Sequence, residues 1–282
     1  MERSVADDAA TFERGTAGTL RPTRWGVIRA LGRLSATEEL QYPANFLASL
    51  IGTVFWLSMA ILTVALFYSH TTHLGGWSFW ETVALLGVFN ALVGVIEGVL
   101  RPGIGSLADQ IRHGALDLLL TRPVDAQLYL TFRQLDLLRI ADVLLGFALS
   151  SVALHRLGRS ISAMHILAFG VTFASAVAVL YSVWVILMCL AFWFVAIENL
   201  PTVFDALFEA ARYPASAYPK ALRIIFVYVL PVAWTTTIPA SALVGRLSAF
   251  AVLESIGVGT AALLVSRAVW RIALRRYTSA GG

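Results

Sequence analysis

The sequence predicts an all-α integral membrane protein, and three observations lead to this fold class. Hydrophobic residues make up 58% of the chain, charged residues make up 13%, and the mean hydropathy is +0.76, whereas a soluble domain carries about 25% charged residues. Six apolar runs are long enough to cross a bilayer core of about 30 Å as helices. The basic residues are also distributed unevenly between the segments that join these runs.

The N-terminal region is polar, and it predicts two different elements. Residues 1–20 lack the apolar core of a secretory signal, so we expect a disordered cytoplasmic tail that precedes a membrane domain over residues 21–276. The stretch Arg21–Ser35 is expected to form an amphipathic helix on the anionic cytoplasmic leaflet. One arc of this helix carries the apolar residues Val27, Ile28, Leu31 and Leu34.

Six transmembrane helices are predicted, and two of them are expected to be irregular. The fourth is too long for a helix perpendicular to the membrane, so it must tilt or begin along the interface. The fifth contains Pro231 and Pro239, which lack backbone donors and make a straight helix improbable there. The expected spans are Phe46–Tyr68, Phe79–Leu100, Leu135–Leu154, Met164–Ile197, Ala221–Leu243 and Ala249–Trp270.

The basic residues predict the orientation of the chain. With six spans, eighteen of the 21 Arg and Lys residues fall on one side and three on the other. Because basic residues are retained on the cytoplasmic side, we expect both termini and the second loop in the cytoplasm. The expected location is the bacterial plasma (inner) membrane.

The second loop contains a charged stretch, Ile104–Leu120, that is too short and too polar to span the membrane. Two interpretations remain open: an interfacial helix that only links two spans, or a docking element for a partner protein. On a helical wheel Leu116 and Leu120 fall on the polar side, where a partner's groove would reach them. The apolar face comprises Ile104, Leu107, Ala108, Ile111, Ala115, Leu118 and Leu119.

Polar residues are rare inside the expected spans, and a charge there usually faces a cavity or a partner. The candidates for a transport pathway are Asn90, Glu97 and Glu254. Glu97 lies one helical turn before Arg101, so we expect these two side chains to pair.

Two other groups of polar residues do not indicate a metal or catalytic site. Asp136, Arg139 and Asp142 recur every third residue, so they are expected to pair along one helix face. His70 and His73 have a metal-binding spacing, but no nearby Cys, Asp or Glu completes a site. We predict no metal, cofactor or catalytic residue.

Two classes of function are excluded by the basic residues themselves. They form no stripe or recognition helix for nucleic acid. A P-loop requires a lysine that reaches the phosphates, and the single lysine, Lys220, lies in the unrelated context YPKAL. If ATP drives this protein, another polypeptide must bind it.

Several motifs resemble one family. The segment IRHGALDLLLTRPVD follows an I-R-x-G-x-L-D-x-x-L-x-R-P pattern, and YPANF, GGWS, ARYPASAYPKALR and VLPVAWTTTIPASALVG agree with it. Together they resemble the permease subunits of ABC type-2 transporters. The resemblance implies that the second-loop stretch is the coupling helix that sits in a cleft of the ATPase subunit. Its candidate residues are Ile111, Arg112, Gly114, Leu116, Asp117, Leu120, Arg122 and Pro123.

The resemblance further implies an ATP-driven exporter with two partners. These are an ABC ATPase subunit and a second permease subunit, with a heterodimer favoured over a homodimer. The region of Pro231 and Pro239 would re-enter the membrane and form an outer gate, or else be a kinked helix without a gate. The stretch Glu198–Lys220 is expected to be a cytoplasmic interfacial loop or a second ATPase contact. A membrane-embedded enzyme and a passive channel or carrier remain as alternatives.

Overall fold

The computed structural model describes residues 43–112, 114–121, 125–158, 162–193, 200–229 and 231–276. The expected tail, the expected amphipathic helix, and the candidates Arg122 and Pro123 lie outside the described residues. The described α-helices are α1 (Pro43–Tyr68), α2 (Phe79–Val95), α3 (Leu107–Arg112), α4 (Ala115–Leu120), α5 (Ala126–Phe132), α6 (Ile140–Arg156), α7 (Ala163–Cys189), α8 (Leu200–Glu209), α9 (Lys220–Ile224), α10 (Val232–Leu243) and α11 (Ala249–Arg276).

Five segments of the described chain are long and apolar enough to cross a membrane, which confirms an all-α membrane protein. They overlap the first, second, third, fourth and sixth expected spans, although the last runs six residues beyond its expected end and residues 194–197 of the fourth lie outside the described residues. Their bounds are Phe46–Tyr68, Phe79–Leu100, Leu137–Arg156, Ala163–Phe192 and Ala249–Arg276.

The helices define two ends of the bundle. The loop between α1 and α2, residues 69–78, marks what we call the first-loop end. Helix α2 continues through a π turn, Ile96–Leu100, to the other end, which we call the second-loop end. The C-terminus of α11 also lies at the second-loop end, where Arg267 bonds Asp125.

Helices α2 and α6 approach each other closely because glycines face each other in their interface. A Cβ atom on Gly146 would lie 2.6 Å from the Ala91 backbone nitrogen, so only a glycine fits there. Ser150 Oγ uses the proximity to donate a hydrogen bond to the Ala84 carbonyl, at 3.0 Å. Small residues allow this packing between helices in a membrane, and the pair forms a rigid centre for the bundle.

Residues 200–217 run along the bundle, which corrects the expected cytoplasmic loop at Glu198–Lys220. At the second-loop end, Asp205 of α8 binds Arg101. Further along, the ring of Phe208 stacks on Phe89 of α2, with centroids 5.1 Å apart. At the first-loop end, Ser216 Oγ donates to the Gly75 carbonyl at 2.6 Å. Hydropathy alone missed this course because the segment is short, interrupted by prolines and partly charged.

Residues 220–229 and 231–243 form the two arms of a helical hairpin, and the expected span Ala221–Leu243 is therefore wrong. Helix α9 and a π turn, Ile225–Val229, lead away from the first-loop end. Helix α10 then returns, so that Arg246 donates to the Gly76 carbonyl at 3.0 Å. Pro231 stands between the two arms and supplies no backbone donor, so the chain turns instead of continuing to the opposite end. Pro239 is accommodated within α10.

The hairpin is fixed on both sides by polar contacts. Thr236 Oγ1 donates to the Ala211 carbonyl at 2.7 Å, and the Ala215 amide donates to Thr237 Oγ1 at 3.1 Å. After the hairpin, Arg246 forms an ion pair with Glu81 at 2.7 Å. The Glu81 side chain is only 2% exposed, so the carboxylate side of this ion pair is buried.

We predict that Gly146→Ala disrupts the bundle, because the new methyl group forces the α2 and α6 backbones apart at a cost of about 1–3 kcal/mol. The readouts are the melting temperature and the monodisperse fraction of the purified protein, and both should fall. Gly170→Ala is the matched control, since nothing lies within 4 Å of a Cβ there. Equal behaviour of the two variants would contradict the close approach.

We also predict that Arg246→Gln lowers the free energy of unfolding by about 2 kcal/mol, because it leaves the buried Glu81 carboxylate without its guanidinium partner. Thermal unfolding in detergent measures this change. Arg271→Gln, at an exposed position of α11, should have almost no effect. A melting temperature for Arg246→Gln that equals that of Arg271→Gln would show that the ion pair is not stabilising.

Candidate functional site

The second-loop segment, residues 104–120, is two short helices rather than the single helix that the sequence predicted. A 3₁₀ turn, Ile104–Ser106, leads into α3, and α4 follows after a bend. The bend occurs at Gly114, which has φ +66°, a conformation that glycine adopts without strain. Ile111 and Arg112 therefore end one helix, and Asp117 and Leu120 belong to the next.

The bend changes which leucines face outward. Leu116 is 0% exposed and Leu119 is 6% exposed, whereas Leu118 is 73% and Leu120 is 41% exposed. The expected exposure of Leu116 and the expected burial of Leu118 are both wrong, because a wheel drawn through Gly114 assumes an unbroken helix. The exposure of Leu120 is confirmed. The exposed apolar pair is thus Leu118 and Leu120, on either side of a buried leucine.

The segment is firmly attached to the bundle on its inner side. Ile104, Leu107 and Leu116 are fully buried in the hydrophobic core. Gly105 passes close to the Trp184 ring of α7: a Cβ atom there would lie 3.6 Å from the indole nitrogen. The inner side of the segment is therefore packed against the spans.

The last helix is tied to the chain that follows this segment. Arg267 of α11 forms an ion pair with Asp125 and donates to Gln127 Oε1 at 2.7 Å. Asp125 also accepts hydrogen bonds from the first amides of α5, and so caps that helix. Burial raises the pKa of Asp125, but the hydrogen bonds from Arg267 and from the Leu128 amide outweigh it and hold the pKa below its ordinary value. Asp125 is thus a charged anchor for α11.

Arg101, the residue that follows the π turn of α2, connects two helices. It lies 3.0 Å from Glu97, as expected, and 2.7 Å from both carboxylate oxygens of Asp205 in α8. The contact with Asp205 was not predicted, because a pairing across 104 positions leaves no local pattern. Arg101 therefore joins the start of the second loop to α8.

A second charged group lies beside this one. Arg139 is 3.5 Å from Asp136 and 3.4 Å from Asp142, which confirms the expected pairing. Asp142 is buried, accepts a hydrogen bond from Thr53 of α1, and offers its backbone carbonyl to Asn90 Nδ2 at 2.7 Å. These polar contacts near the second-loop end therefore connect α1, α2, the start of α6, and α8.

These charged groups line a cavity of about 670 Å³. The structure brings two of the three candidate pathway residues, Asn90 and Glu97, to its wall. Glu254 is exposed on α11 and does not line it. Asp205, Glu209 and Arg212 complete the charged part of the wall. Sequence reasoning missed all three as cavity residues because it assigned them to a loop. Among the described residues no group of His, Cys, Asp and Glu could hold a metal ion.

Comparison with known proteins supports one family. A family model described as "ABC-2 family transporter protein" matches residues 54–281, which include the second-loop segment, the hairpin and most of the cavity wall. No curated protein and no solved structure matches the chain. The match covers far more than half of the sequence, and it agrees with the helical membrane architecture. The chain belongs to the ABC-2 family of transporter proteins, as a membrane-spanning permease.

Proposed function

We propose that this permease is the membrane subunit of an ATP-driven exporter and that a separate ABC ATPase subunit supplies the energy. The observation that carries the proposal is the exposure of Leu118 and Leu120 on α4, whose other two leucines, Leu116 and Leu119, are buried. An exposed leucine pair on a short, attached helix suits the groove of a partner protein. The chain itself has a single lysine and no P-loop, so ATP is bound and hydrolysed elsewhere.

In this proposal the second-loop end is cytoplasmic, and Arg101 transmits the movement. ATP binding brings two ATPase subunits together and displaces the second-loop segment that is docked to each permease. Because Arg101 precedes that segment and holds Asp205 at 2.7 Å, a displacement there pulls on α8. Helix α8 lines the cavity, and the chain that follows it continues toward the hairpin at the first-loop end. A movement of α8 would therefore change both the cavity and the hairpin.

The hairpin is proposed to be the outer gate. Its two arms begin and end at the first-loop end, and its turn at Pro231 lies deeper in the bundle. Backbone that breaks a helix within a membrane persists where protein or a cavity satisfies its polar groups. Residues 200–217 would then serve as the fifth crossing in place of the expected Ala221–Leu243.

One chain lines only half of a transport route in this proposal. Helix α1 is the least buried of the spanning helices, and it forms one wall of the cavity. A second permease subunit would pack against the exposed side of α1 and so complete the transport route. Following the family resemblance, we take a sister permease in a heterodimer as the partner, with a second copy of this chain as the alternative.

We predict that Leu118→Asp weakens ATPase binding at least about tenfold, because it places a charge where the partner buries a leucine. The permease is co-expressed with its candidate ATPase, and both co-purification and ATP turnover by the complex are measured. Leu118→Met keeps an apolar side chain and should retain both. Because the Leu118 side chain is mostly exposed, neither variant should alter folding, which size-exclusion chromatography checks. An intact, fully active complex carrying Leu118→Asp would rule out docking through this segment.

A further inference from the structure

We propose that the cavity between α1, α2 and α8 binds the cargo and that this cargo is an amphiphile with a positively charged ammonium or guanidinium group. The inference rests on the proposed transport function and specifies the substrate class of the same site. It depends on three features of the cavity: its balance of charge, the engagement of its arginines, and its aromatic wall.

The first feature is an excess of carboxylates. Four carboxylate side chains line the cavity and three guanidinium groups face them, so the wall carries one uncompensated negative charge when all are ionised. An uncompensated carboxylate charge attracts cations, and a cationic ligand would compensate it. The carboxylates belong to Glu97, Asp142, Asp205 and Glu209, and the guanidinium groups to Arg101, Arg139 and Arg212.

The second feature is that every arginine of the wall already has a carboxylate partner. Arg101 holds Glu97 and Asp205, Arg139 holds Asp142, and Arg212 lies 2.6 Å from Glu209. The Nε atoms of Arg101 and Arg212 have no hydrogen-bond partner within the described part of the chain, but they are shielded from solvent and so do not face the open cavity. An anionic headgroup would have to displace a carboxylate from its arginine, whereas a cation would join carboxylates that are already in place.

The third feature is an apolar wall beside the charged one. Trp56 of α1 lines the cavity and is 71% exposed, so its ring is open to a ligand. The stacked rings of Phe89 and Phe208 also line the cavity, and the Arg212 guanidinium lies 5.3 Å from the Phe89 ring centroid. Phe89 lies eight residues before Glu97, about 12 Å along α2 and its π turn, so this ring lies farther from the second-loop end than the Glu97 carboxylate does. A cation also interacts favourably with the face of a tryptophan.

These features set the orientation of the ligand. Its cationic group lies near Glu97 and Asp205 at the second-loop end, and its apolar body extends along Trp56 toward Phe89. The volume of about 670 Å³ falls within the range of small-molecule sites in proteins. Among the lining side chains Glu209 is 53% exposed, so the cavity is open to entry rather than sealed.

The test compares two hydrophobic ions of nearly equal shape and opposite charge. The full chain is reconstituted in phosphatidylcholine nanodiscs, and binding of radiolabelled tetraphenylphosphonium and tetraphenylborate is measured against empty nanodiscs. We expect saturable binding of tetraphenylphosphonium that dodecylamine displaces, and no saturable binding of tetraphenylborate. Saturable binding of the anion at equal or higher affinity, or cation uptake no greater than in empty nanodiscs, would overturn the proposal.

Two pairs of variants locate the site. Glu97→Gln removes a lining carboxylate and should weaken cation binding about tenfold, whereas Glu254→Gln removes an exposed carboxylate outside the cavity and should not change it. Trp56→Leu should weaken binding severalfold without touching an ion pair. Phe55→Leu, at the neighbouring exposed position that does not line the cavity, should have no effect. Equal binding by a cavity variant and its control would place the cation elsewhere.

The result can be separated from that of the proposed function. Cation binding is measured on the permease without an ATPase, and ATPase docking is measured without a cargo. A permease that docks its ATPase but fails to bind tetraphenylphosphonium would refute only the substrate class. A permease that binds the cation but is indifferent to Leu118→Asp would refute only the docking mechanism.

Discussion

The ion pairs of Arg101 with Glu97 and Asp205 are the interaction on which the rest of the structure depends. A charged side chain at the end of a membrane-spanning helix is stabilised by a partner of opposite charge. Arg101 is such a partner for two carboxylates at once, and in this way it fixes α8 to the end of α2. The second-loop segment begins three residues later, and the cavity lies directly beside these charges.

The two ends of the bundle are built in different ways, and the difference suits a transporter. At the second-loop end, buried leucines and the Arg267–Asp125 pair attach an otherwise exposed segment to the spans. At the first-loop end, a hairpin is held by hydrogen bonds to residues 211–216 and by the chain that leads to Arg246. Between them, glycines allow the α2 and α6 backbones to pack closely.

Much of the fold could be predicted from the sequence because it depends on local regularities. Apolar runs located five of the spanning helices, and spacings of three and four residues located the pairs around Glu97 and Arg139. The bend at Gly114 could not be predicted, since a glycine within a helical pattern is often tolerated. That single residue exchanged the roles of Leu116 and Leu118. The hairpin was mistaken for a span because the mean hydropathy of a segment depends only on its composition. It contains no information on where the chain reverses direction.

In the candidate site, too, the residues with a local sequence pattern were predicted, and those brought together only by the fold were not. Asn90 and Glu97 were recognised as polar residues inside a span, and the structure places both on the cavity wall. Their neighbours Asp205 and Arg212 were not recognised, because their importance arises from α8 lying against α2, a contact between residues far apart in sequence. Glu254, like Glu97, is an acidic residue within an apolar run, but it is exposed on α11. The sequence therefore identifies candidate residues, and helix packing determines which of them line the cavity.

The central claim is that the second-loop segment lies on the cytoplasmic side, where a separate ATPase reaches it, and that residues 200–217 lead to the opposite side. The most direct measurement is side-specific labelling of Leu118→Cys and Ser216→Cys with a membrane-impermeant maleimide; the native Cys189 is buried. The account predicts that Leu118→Cys reacts only in inside-out vesicles and is protected by the bound ATPase, while Ser216→Cys reacts only in intact, right-side-out cells. Labelling of Leu118→Cys from outside the cell, or of both positions from the same side, would contradict it.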